Sequence, residues 1–130
     1  MARSAGNNES PVYTYVINVT AGDGAGVTES NANPFGADVM IVSALLDITT
    51  ASTGACTLDI GVGADATTSN DQLFDGLSAA TTGQYGTGVS GGTNGKGGQK
   101  WTSSTFLNIA EASGDITGLV GKLYVQYCYM

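Results

Sequence analysis

Apolar and polar positions alternate with a period of two through most of the chain, the repeat of a strand whose successive side chains point to opposite faces. The longest such stretch runs from Asp38 to Val62. In its first half Met40, Val42, Ala44, Leu46 and Ile48 form a wholly apolar face, while Val39, Ile41, Ser43, Leu45, Asp47 and Thr49 form a half-apolar one. In its second half Cys56, Leu58, Ile60 and Val62 stand against Thr57, Asp59 and Gly61. Ser52-Thr53-Gly54-Ala55 supplies turn chemistry between them, so the stretch predicts an antiparallel hairpin. A hairpin with one apolar face is marginal until another sheet covers it, which calls for a second sheet.

The rest of the chain is read around that stretch. Val12 to Thr20 is β-branched and aromatic, with Tyr13, Tyr15, Ile17 and Val19 on one side, and predicts a first strand. Residues 21–38, dense in Gly, Asn and Pro, predict a long connection. Residues 63–77 predict a loop followed by a short helical turn or short strand that carries Leu73, Phe74 and Leu77 into the core. Residues 81–98, rich in glycine, predict an extended loop, because ordering so many glycines has a high entropic cost. Strand character resumes from Trp101 to Glu111 with Phe106, Leu107 and Ile109, and a turn follows at Ser113-Gly114-Asp115. The last run places Leu119, Leu123, Val125, Tyr127 and Tyr129 on one face and predicts a central strand. No stretch shows a helical period. The expectation is an all-β, single-domain antiparallel β-sandwich over residues 12–130, with a jelly-roll arrangement preferred to a meander and residues 1–11 as a polar N-terminal arm. Met40, Val42, Leu46, Ile48, Leu58, Ile60, Leu123 and Val125 are expected in the core. The arm and the glycine-rich loop hold too few apolar side chains to offset their own ordering and are expected to order on a partner.

Charge narrows the function classes. Four Lys and Arg stand against eleven Asp and Glu, a net charge of −7. Phosphate backbones and anionic membranes are held by clustered cations, so neither nucleic acid nor membrane is an expected partner. No apolar run approaches the roughly 20 residues that span a bilayer, and the first residues lack the apolar region of a signal peptide. Cys56 and Cys128 lie in strand runs, where a free thiol packs as a small hydrophobe, and a reducing cytosol suits them.

The chain has no His. Ser-His-Asp and Cys-His catalysis and His-containing metal sites are thereby ruled out, and no enzymatic activity or cofactor is expected. Asp47, Asp59, Asp65, Asp71, Asp75, Glu111 and Asp115 could in principle supply an acid and a base, but most fall in turns or on polar strand faces. Asp65, Asn70, Asp71 and Asp75 crowd oxygen ligands into a short span and are the candidates for a Ca²⁺ site, although their spacing is not that of an EF-hand loop and such residues also cluster to bond their own backbone. Gly86-Thr87-Gly88-Val89-Ser90-Gly91 has the letters of a dinucleotide fingerprint without the strand and helix that give it meaning. Residues 94–98 lack the Ser or Thr of a phosphate loop, and Asn18-Val19-Thr20 is a glycosylation sequon inside a predicted strand.

The Asp38 to Leu77 stretch DVMIVSALLDITTASTGACTLDIGVGADATTSNDQLFDGL, with TNGKGGQKW and GLVGKLYVQY after it, resembles small structural proteins of tailed bacteriophages that decorate or cement the capsid. The resemblance covers about Asp38 to Tyr127. It implies a virion protein with a β-sandwich fold, made in the host cytoplasm and placed on the capsid surface. The implied partners are the major capsid protein and sister copies, with a homotrimer preferred. A tail or fibre subunit and a carbohydrate-binding module with Asp-rich loops and stacking Trp and Tyr rings are the alternatives.

Overall fold

A computed structural model describes residues 11–20, 26–88, 95 and 98–130. The arm at residues 1–10 and residues 21–25, 89–94 and 96–97 lie outside the described residues, and with them most of what is expected of the arm and of the glycine-rich loop. The described chain is all β, in nine strands: β1 (Tyr13–Thr20), β2 (Gly26–Ala32), β3 (Val39–Thr50), β4 (Cys56–Gly63), β5 (Phe74–Ser78), β6 (Gly83–Gly86), β7 (Gln99–Trp101), β8 (Phe106–Gly114) and β9 (Val120–Tyr129). They form two antiparallel sheets in a β-sandwich-like arrangement. One sheet runs β1-β9-β3-β6, with β7 also on β3, and the other runs β2-β8-β4-β5.

The inner face of the first sheet is a set of cross-strand rows. Val19, Gly121 and Ile48 form one, Ile17, Leu123 and Leu46 the next, and Tyr15, Val125 and Ala44 a third. Leu58, Ile60, Phe74, Leu107 and Ile109 of the second sheet meet them in a single buried cluster. As read from the sequence, β9 is a central strand, and Leu73, Phe74 and Leu77 are buried. Gly121 has a steric role: a Cβ there would run into the Asp47 carbonyl of the neighbouring strand.

Three expectations are corrected. β3 and β4 are not a hairpin, for they lie in different sheets. Residues 51–55 instead cross from one sheet to the other, held where the Ser52 N–H donates to the Ala79 carbonyl (3.1 Å) and the Thr53 N–H to that of Thr117 (2.9 Å). Facing each other across the core buries the apolar faces of both strands, whereas a hairpin would leave both uncovered. Second, Met40 and Val42 are not core residues: Val39 and Ile41 have no exposed surface, Met40 is half-buried and Val42 is 42% exposed. The register against β9 slips between Ile41 and Ser43, so one extra residue on β3 exchanges the faces before alternation resumes at Ala44, Leu46 and Ile48. Third, two strands form where connections are expected. β2 lies in the Gly- and Asn-rich span and pairs with β8, and β6 lies in the glycine-rich span and pairs with Leu45 to Ile48. Neither has an apolar alternation of its own, and both take their order from the ladder of a longer neighbour.

Beyond the last aliphatic row the inner face becomes aromatic. Phe35 stacks on Tyr127, with ring centroids 4.3 Å apart, and meets Trp101 edge-on at 5.6 Å and Tyr15 edge-on at 5.4 Å. Asn33 sets this ring in place: its Oδ1 accepts from the Phe35 N–H (2.8 Å), and its Nδ2 donates to the carbonyls of Ala37 and Trp101 (3.0 Å each).

Candidate functional site

The acidic loop between β4 and β5 closes on itself. Asp65 Oδ1 accepts from the Thr67 and Thr68 backbone N–H groups (2.9 and 2.8 Å) and from the Thr67 hydroxyl (3.0 Å), while Oδ2 accepts from the Thr68 hydroxyl (3.1 Å). These donors favour the charged form, with the Thr67 N–H foremost, and hold the Asp65 carboxyl below its ordinary pKa. The loop is tied to the sandwich by Asn108 of β8, which has no exposed surface. Its Nδ2 donates to the carbonyls of Asp65 and Thr68 (2.9 Å each), and its Oδ1 accepts from the Ser30 hydroxyl of β2 (2.6 Å). Asn108 leaves little trace in the sequence, where its only signal is a lone polar residue in an apolar strand.

The four Ca²⁺ candidates have different surroundings. Asp65 is engaged by its own threonines. The Asn70 side chain sits over Gly63, so closely that a Cβ on Gly63 would collide with it, and its Oδ1 is buried without a hydrogen-bond partner. Asp71 and Asp75 are near Asp59: its carboxyl is pushed above the ordinary value first by burial and then by their charges, while the Gly76 N–H donating to Asp59 Oδ1 (2.8 Å) works the other way. Among the described residues no three Asp, Glu or Cys side chains are grouped so as to hold a metal ion. The remaining carboxylates stand apart. Asp47 accepts from Gln84 Nε2 (2.8 Å) on β6, and Asp115 is bound by the Thr117 hydroxyl and N–H at a turn. Cys56 is buried and Cys128 half-buried, and both are free thiols. Trp101 is fully buried among other rings and offers no open face on which a sugar could stack.

What the fold does present is the outer face of the first sheet. Register puts Val16, Tyr124 and Leu45 in one row across β1, β9 and β3, with Thr14, Gln126 and Ser43 on one side of it and Asn18, Lys122 and Asp47 on the other. Val16 and Leu45 are 44% and 40% exposed, and Val42 and Val120 are exposed on the same sheet. A groove of about 510 Å³ runs here, lined by Thr14, Ser43, Leu45, Thr87, Tyr124 and Gln126. The Ser43 hydroxyl donates to Gln126 Oε1 (2.6 Å) across it. Lys122 and Asp47 are the only charges in these rows and stand opposite each other, so the face is apolar at its centre and nearly neutral. Such an apolar band, rimmed by hydroxyl and amide groups and the opposed Lys122 and Asp47, suits contact with another protein. Its signal in the sequence was the half-apolar second face of the Asp38 to Thr49 run, where Leu45 serves no core. Comparison with protein families, with curated proteins and with solved structures finds no match to this chain.

Proposed function

We propose that the chain is a structural protein of a virus particle, a capsid decoration or cement protein of the tailed-bacteriophage kind, which binds the outer surface of the head through protein contacts. The observation that carries this is the outer face of the β1-β9-β3 sheet, where among the described residues an apolar Val16-Tyr124-Leu45 row lies exposed between polar rows whose only charges are the opposed Lys122 and Asp47. The pairing pattern supports it. With β6 and β7 counted as two pieces of one strand on β3, the first strand pairs with the last (β1 with β9), the second with the next to last (β2 with β8), β3 with that split strand and β4 with β5. This pattern supports reading the fold as a long hairpin of antiparallel pairs rolled into two sheets, the jelly-roll plan that many capsid proteins use. The resemblance of the Asp38 to Tyr127 residues to phage decoration proteins points the same way, and the major capsid protein is the partner proposed.

The test is stoichiometry. Quantitative mass spectrometry of purified particles should find on the order of hundreds of copies, in ratio to the major capsid protein, as symmetric decoration requires. A few dozen copies would move the protein to the tail, and absence from particles would end the proposal.

A further inference from the structure

The described edges of the two sheets are unlike one another. β2 carries Glu29 and a bulge between Val27 and Glu29, β5 has five residues with Asp75 and a bulge at Gly76 among them, and β6 and β7 are only four and three residues long. Shortness, bulges and charges are the devices that keep a sheet edge from pairing with another chain. β1 has none of these. Its eight residues, Tyr-Thr-Tyr-Val-Ile-Asn-Val-Thr, include no charge, Gly or Pro. Its register with β9 is unbroken from Tyr13 opposite Tyr127 to Thr20 opposite Val120, and among the described residues no strand pairs with its other side.

We propose that a second copy of this chain pairs there, its β1 antiparallel to the first, so that the two β1-β9-β3 sheets join into one. Charge selects the occupant. Each copy carries a net charge of −7, so like copies repel unless the surfaces that meet are neutral. The whole of β1 is neutral, and the Lys122 and Asp47 pair lies one and two strands away from the joint. Within β1 itself, self-pairing sets no like charges opposite each other. It is also a twofold operation that uses up both exposed edges and leaves a closed pair, in contrast to the threefold arrangement that the resemblance implies.

The side chains fit the same operation. Residues directly opposite in an antiparallel pair share a face, so an axis at Val16 sets Val16 against Val16 of the second copy and Thr14 against Asn18 on the outer face, with Tyr15 against Ile17 on the inner one. Aromatic with β-branched and β-branched with β-branched are favourable cross-strand pairs. The Leu45-Tyr124-Val16 row then continues across the joint into the same row of the second copy. Nothing in this pairing depends on the chain being a capsid protein.

Sedimentation of the full chain over a concentration series tests it, with a dimer expected. Val16→Lys sets two ammonium groups opposite each other at the axis while altering only an exposed side chain, and should weaken the dimer about tenfold or more with the circular dichroism unchanged. Val42→Lys, on the same sheet but on β3, should leave the dimer as it is. In the wild type, exchange of β1 amides should slow as concentration rises. A chain that is monomeric up to about 1 mM overturns the proposal, as does a dimer that Val16→Lys leaves intact or that Val42→Lys weakens equally. Should Val16→Lys fail to fold, the wild-type exchange decides, and β1 amides indifferent to concentration overturn it.

Discussion

Ile41 and Val42 are neighbours whose alanine variants separate the register of β3 from the alternation of its sequence. Uninterrupted alternation with Leu46 and Ile48 would bury Val42 and expose Ile41, whereas the slip between Ile41 and Ser43 does the reverse. Ile41→Ala removes three carbons from a site with no exposed surface, flanked by Tyr127 of β9 and Gln99 of β7. At about 0.8 kcal/mol per buried methylene the transfer contribution alone is about 2.4 kcal/mol, and the cavity left behind raises the expected loss to about 2 to 5 kcal/mol. Val42 is 42% exposed, so Val42→Ala should cost at most about 1 kcal/mol, the span of strand propensity. Leu46→Ala, inward on either register, should lose about as much as Ile41→Ala and calibrates the scale. Urea unfolding followed by the fluorescence of buried Trp101 measures all three, provided the slope with denaturant is the same in each. A Val42→Ala loss equal to or larger than that of Ile41→Ala would refute the bulge and restore Met40 and Val42 to the core.

Asn108→Ala should destabilise by about 2 to 4 kcal/mol, because it strands the Asp65 and Thr68 carbonyls and the Ser30 hydroxyl, and hydrogen exchange should show residues 64–70 opening first. Exchange that loosens elsewhere and leaves this loop protected would mean that Asn108 does not anchor it. Asp59→Asn tests the acidic end of β4. The raised carboxyl pKa means that the folded state binds the proton more tightly than the unfolded one, so its contribution to stability falls as pH rises from about 4 through the folded pKa. The amide keeps an acceptor for the Gly76 N–H without the charge, so the variant should match the wild type at pH values below the ordinary carboxylate range and melt higher than it above the raised folded pKa. Asp65 and Asp115 run in the opposite direction, since their lowered pKa values support the fold above the ordinary carboxylate range and that support is lost as pH falls from there through the folded pKa values. Thermal melts across pH read both, and a wild-type curve parallel to that of Asp59→Asn would remove Asp59 from the account.

Strand content, the absence of helical periodicity, the inward faces of β1, β4 and β9, and the burial of Leu73, Phe74 and Leu77 are all legible in the alternation of residues, because a period of two is a property of each strand alone. The absence of His excludes only the catalytic and metal sites that need an imidazole. Tertiary structure decided which strand joins which sheet. Residues 51–55 carry the same turn chemistry whether they close a hairpin or cross between sheets, and the choice fell to burial of the facing sides of β3 and β4. The bulge at Val42 was equally hidden, for it exists only in relation to β9. β2 and β6 exist as strands through partners distant in the chain, and the candidate surface arises from a row, Val16, Tyr124 and Leu45, drawn from three strands. Local alternation records which side of a strand is apolar. Which apolar side is left in the open depends on how the sheets are assembled.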